Sequence, residues 1–133
     1  MGQVVLDTSI LVAVERGVLR LGECINENED VAIPSIAIAE YLVGLHRSTQ
    51  VRQRARIARN LEFLEELSTV LEFGEREAKA FAILQAEALN SGVGRTEFDL
   101  AIAAHSVVQG AILVTRDKNA RLSELTGVVT REV

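Results

Sequence analysis

The sequence predicts an α/β fold: a small parallel sheet of about four to five strands, flanked by helices in three layers. Three observations carry that expectation. The apolar runs VVL at 4–6 and AILVT at 111–115 are continuous rather than alternating, as strands covered on both faces require. Segments with helical spacing separate the strands and are long enough to cross over between parallel neighbours. Alanine and leucine are frequent in those segments, which favours helix.

Taken in order, residues 4–6 form the first strand. Asp7, Thr8 and Ser9 then offer capping side chains for a helix that Gly17 stops. Residues 19–28 read as a second helix. VAIPS at 31–35 reads as the second strand, with Ser35 as the helix cap after Pro34. IAIAEYLVGLHR makes the third helix, and VRQRARIARNLEFLEELS makes a long fourth. TVLEF at 69–73 is a third strand. The fifth helix runs over 75–90, where NSGVG breaks it, and the sixth runs from Thr96 to Gly110. AILVT is a strong strand, RDKNARLSEL is turn-like, and GVVT at 127–130 is a short last strand.

A chain of 133 residues is expected to form one domain, 1–133, large enough for its own core. Aromatic residues make up only 4%, so aliphatic and alanine packing must build that core. The single cysteine, Cys24, excludes an internal disulfide and a paired-cysteine metal motif. No cationic leader and no long apolar run is evident, so the expectation is a cytoplasmic protein without a membrane partner. The net charge of −5 argues against a protein that is basic throughout, although a basic stretch exists.

Two acids follow strands. Asp7 comes after the first and Asp117 after AILVT, and open parallel sheets bind ligands beyond the carboxyl ends of their strands. Each also has a local role available, Asp7 as a helix cap and Asp117 as a turn residue. Asp99 sits in TEFDLAIAAHS, where Thr96 and Asp99 fit the capping-box pattern. Glu40 is harder to explain locally. Its helix-face neighbours are Ile36, Ala37, Val43 and Gly44, all non-polar, and a carboxylate in such a stripe needs a partner. If the four converge, pairs about 5 Å apart repel by about 3 kcal/mol at an effective dielectric near 20. Protonation or a divalent cation offsets that repulsion. An all-oxygen set without clustered His or Cys suits a hard ion, Mg²⁺ or Mn²⁺.

VVLDTSIL, IPSIAIAEYLVGL, EFDLAIAAHS and ILVTRDKNARLSEL together resemble the four motifs of PIN-domain ribonucleases, and most nearly those of the small VapC-type toxins of toxin–antitoxin operons. The resemblance spans nearly the whole chain. It implies a PIN-like fold, with Asp7 and Asp99 as direct metal ligands. Glu40 and Asp117 would complete the acidic pocket, and Ser9 and Thr115 would supply supporting hydroxyls. It also implies a cognate antitoxin and a homodimer. The expected reaction is in-line attack of cation-activated water on RNA, leaving 5′-phosphate and 3′-hydroxyl ends. His46 and His105 are the only histidines, and both read as structural or surface residues.

The basic stretch is HRSTQVRQRARIARN, with five arginines and no acid. Arg52, Arg56 and Arg59 share one helical stripe, either as a phosphate-tracking ridge or as a salt-bridged solvent face. Two other readings stay open, and a third lacks its motif. A PIN-like module can bind RNA or a partner without cutting, and a PIN nuclease can process RNA without an antitoxin. An aspartyl-nucleophile phosphatase also begins with a strand and an Asp, but it needs a second acid two residues on, where this chain has Ser9.

Overall fold

The computed structural model describes residues 2–133. Five parallel strands form one sheet: β1 (Gly2–Leu6), β2 (Glu29–Pro34), β3 (Thr69–Leu71), β4 (Ile112–Thr115) and β5 (Val129–Glu132). Their order is β3-β2-β1-β4-β5. Val4, Val5 and Leu6 of β1 are fully buried, as are Leu113 and Val114 of β4, which explains why those runs carry no polar alternation.

Five helices flank the sheet: α1 (Thr8–Glu15), α2 (Ser35–Arg47), α3 (Val51–Glu66), α4 (Glu75–Ser91) and α5 (Glu97–Gln109). α1, α2 and α3 touch one another and α4 packs on α5, with α2 also reaching α5. Right-handed crossovers produce this grouping. The chain moves outward from β1 to β3 with helices on one face, then reverses to β4 with helices on the other. That reversal leaves a switch point between β1 and β4: the strands stay paired to their carboxyl ends, and the segments that follow them leave in opposite directions, which leaves room for a ligand.

β3 ends at Leu71 rather than Phe73, and three further sequence expectations need correction. Residues 19–28 are not a helix. A single 3-10 turn, Leu21–Glu23, is all that forms, with Gly22 inside it and the Asn26–Glu29 turn closing the segment. Ser35 is the first helical residue rather than the cap. Pro34 holds the cap position because β2 runs on through it to pair with Leu71. The last strand begins at Val129, two residues later than GVVT implies, because Gly127 adopts a left-handed turn (φ 81°).

Candidate active site

One cavity of about 460 Å³ opens at the switch point. Asp7, Glu40, Asp99 and Asp117 all line it, so acids from four separate segments share one cavity. Asp7 ends β1 and caps α1: its Oδ1 accepts from the backbone N–H of Ser9 (3.0 Å) and Ile10 (3.4 Å), and from the Ser9 hydroxyl. Asp117 follows β4 and closes a turn, its Oδ1 accepting from Asn119 N (3.0 Å) and Ala120 N (3.1 Å). Asp99 and Thr96 form the full capping box, with Thr96 N donating to Asp99 Oδ2 (3.0 Å) and Asp99 N to Thr96 Oγ1 (3.1 Å). Glu40, half-buried on α2, accepts at Oε1 from the Thr8 hydroxyl.

These bonds share a pattern. In each acid one oxygen takes the hydrogen bonds just given, and the other takes none of them. Local capping and cavity lining are therefore compatible: the bonded oxygen fixes the side chain, and the residue still lines the cavity.

The hydroxyls tie the strand ends together. Ser9 Oγ accepts from Arg116 N (2.9 Å), joining α1 to the segment that carries Asp117. Thr115, buried, accepts at Oγ1 from Asp117 N (3.0 Å). Burial pushes the Asp7 carboxyl above its ordinary range, opposed by the hydroxyls of Ser9 and Thr115 and by the N–H groups of Ile10 and Ser9. An acid held in that way gains from a nearby positive charge.

The donor set is all oxygen. His105 is fully buried and His46 is exposed, and neither lines the cavity. Among the described residues no three ligand groups stand close enough together to enclose a metal ion. Mg²⁺ and Mn²⁺ are hard ions, and Mg²⁺ usually keeps several waters, so spaced carboxylates suit them through water as well as by direct contact.

Sequence reasoning missed Thr8, Arg16 and Arg116. Thr8 is the partner that Glu40 lacks on its own helix. Arg16 and Arg116 line the cavity beside the acids, and among the described residues neither enters an ion pair. A signal for Arg16 was present. Ser9, Val12, Ala13 and Arg16 follow helical i, i+3, i+4, i+7 spacing, and all four line the cavity. The α3 arginines are placed differently. Arg52, Arg56 and Arg59 are exposed and do not line the cavity, and Arg56 Nε lies 3.4 Å from Glu15 Oε2.

The PIN domain family model matches residues 4–126. Ribonuclease VapC1 of Rickettsia felis is 27% identical over 111 residues, covering 84% of this chain and 82% of that protein. Ribonuclease VapC2 of Haemophilus influenzae is 30% identical over 114 residues, covering 84% of each. A crystal structure of a member of the VapBC family of toxin-antitoxin systems, VapBC-5 from Mycobacterium tuberculosis, superposes with a TM-score of 0.81 at 26% identity over 100% of both chains. With four acids lining one cavity at the switch point of a parallel sheet and relatives that match along most of its length, the chain belongs to the PIN-domain family, in its VapC type.

Proposed function

We propose that this chain is a divalent-metal-dependent endoribonuclease, the toxin of a type II toxin–antitoxin pair, acting in the cytoplasm as a homodimer. One observation carries the reading: carboxylates from four segments line a single cavity beside two arginines that enter no ion pair among the described residues. Asp7 and Asp99 would hold Mg²⁺ or Mn²⁺ directly, with Glu40 and Asp117 completing the shell partly through water. A cation of this kind neutralises phosphate charge and lowers the pKa of water.

The chain's own residues supply the rest. Ser9 and the helix start fix Asp7, and Thr8 fixes Glu40, so the acids keep their orientation without a cation. Arg16 and Arg116 place positive charge in an otherwise negative cavity, where an RNA phosphate is the group that fits both signs. Arg52 and Arg59 extend the backbone contact along α3. Arg56 contributes less, because Glu15 already engages it. Water attacks in line, so the products carry 5′-phosphate and 3′-hydroxyl ends. A small cognate antitoxin is the partner that silences the cavity, a reading supported by the VapBC character of the Mycobacterium tuberculosis structure. A basic side chain from such a partner complements the four acids.

One observation favours a second reading, a PIN module that binds without cutting: no three ligands are gathered for a metal among the described residues. A single experiment separates the two. Purified, antitoxin-free protein is incubated with total cellular RNA and Mg²⁺ or Mn²⁺, with EDTA, and with Asp7→Asn and Asp99→Asn, and the ends are mapped. Metal-dependent cuts that are lost in both variants support the nuclease. Ends bearing 2′,3′-cyclic phosphate reject the water mechanism, and a folded, cation-binding protein that leaves RNA intact supports the module.

A further inference from the structure

Arg95 lies in the glycine-containing link between α4 and α5, four residues before Asp99, and is half-buried. Its guanidinium reaches across to the loop that follows β4. Nε donates to the carbonyl of Ala120 (2.6 Å) and Nη2 to that of Arg121 (3.0 Å), while Nη1 donates to Ser91 Oγ on its own side (3.1 Å). Arg121 is the one non-glycine residue with a left-handed backbone (φ 47°) among the described residues. The fork therefore holds both carbonyls at a turn that an L-residue rarely adopts.

The path continues to an acid at each end. On one side Thr96, the next residue, is locked to Asp99 by the capping box. On the other, Ala120 N donates to Asp117 Oδ1. Among the described residues no other hydrogen bond joins residues 92–96 to residues 116–121. Gly92, left-handed at φ 75°, and Gly94 leave the link little stiffness of its own.

We infer that Arg95 is a positioning residue: its guanidinium fixes the spacing between Asp99 and Asp117 and thereby sets the cavity's affinity for a divalent cation. This rests on the metal-site reading above. Groups that orient ligands without touching the ion typically change metal affinity about 10–100-fold when removed. Lysine keeps the charge but lacks the planar fork, so Arg95→Lys distinguishes geometry from charge.

The test is Mn²⁺ binding by calorimetry to the wild type, Arg95→Ala, Arg95→Lys and Ser91→Ala, each checked by circular dichroism. The expected result is wild-type binding, a loss of about 10-fold or more in Arg95→Ala and Arg95→Lys, and near-wild-type affinity in Ser91→Ala, which keeps both loop bonds. Hydrogen exchange at the amides of Asn119 and Ala120 without cation should speed up in the Arg95 variants. Should Arg95→Ala fail to fold, Arg95→Lys decides. Folded Arg95 variants with wild-type Mn²⁺ affinity overturn the inference, and full recovery in Arg95→Lys replaces geometry with charge. Absence of Mn²⁺ binding in the wild type overturns the metal reading itself, and unchanged exchange at Asn119 and Ala120 then removes the loop-positioning role as well.

Discussion

His105 gives a stability prediction that can be worked through. Its side chain is fully buried on α5, and neither ring nitrogen has a hydrogen-bond partner among the described residues. Among the described residues its aromatic neighbour is Phe73, edge-on with ring centroids 5.7 Å apart. Burial lowers its pKa below the ordinary 6.5, against the opposing charges of Glu77 and Glu72. The folded state therefore prefers the neutral ring. Above pH 6.5 nothing is lost. As pH falls below 6.5 the unfolded chain takes up the proton first, and stability falls by up to about 1.4 kcal/mol per pH unit. At about 2.1 cal/mol/K per residue, 133 residues melt with an entropy of about 0.28 kcal/mol/K, so that slope is about 5 °C per pH unit. His105→Leu removes two unpartnered nitrogens, worth about 1–3 kcal/mol, and forfeits an aromatic pair worth about 0.5–1.5. The net expectation at pH 7 is a gain of about 1 kcal/mol, or about 4 °C, with a flatter profile between pH 6.5 and 5. Thermal melts of both proteins across that window test it. Parallel decline of the two melting temperatures would refute the reasoning, because the proton would then belong to another group.

Other consequences follow from the same geometry. Thr8→Val removes the hydroxyl that Glu40 accepts from while keeping its shape, so Mn²⁺-dependent RNA cleavage should fall about 10-fold or more at unchanged melting temperature, and equal rates would show that Thr8 plays no part. Arg16→Ala and Arg116→Ala should each weaken RNA binding and reduce its salt slope by about one ion, and a larger effect from Arg52→Ala and Arg59→Ala would move the substrate path onto α3. Tyr41 OH donates to the buried Glu15 (2.8 Å) and accepts from Asn60 (3.0 Å), so Tyr41→Phe should cost about 1.5–3 kcal/mol in urea unfolding, and a change below about 0.5 would count against that network. Arg131 forks onto Glu29 (2.8 and 2.7 Å) and holds its carboxyl down to about 2. The pair's contribution is present above pH 4.5 and is lost as pH falls through about 2. Arg131→Gln should remove that part of the acid transition, which melts at pH 2–5 would reveal.

The sequence by itself determined most of the element order, because continuous apolar runs and capping residues act over a few neighbours. Thr96 and Asp99 are legible as a capping box, Asp7 as a helix cap, and Asp117 as a turn residue, and all three do those jobs. Glu40 was legible as an acid lacking a partner on its own helix. Its partner was not, because Thr8 lies 32 residues away and reaches it only after α1 and α2 pack. The same limit hid Arg116 and Arg95. An arginine is compatible with any surface, and only the tertiary fold decides whether it meets solvent, a carboxylate such as Glu15, or the carbonyls of a loop 25 residues on. Local sequence carries propensities and caps. Convergence of the acids is a property of strand order, since Asp7 and Asp117 become neighbours only because β4 inserts beside β1.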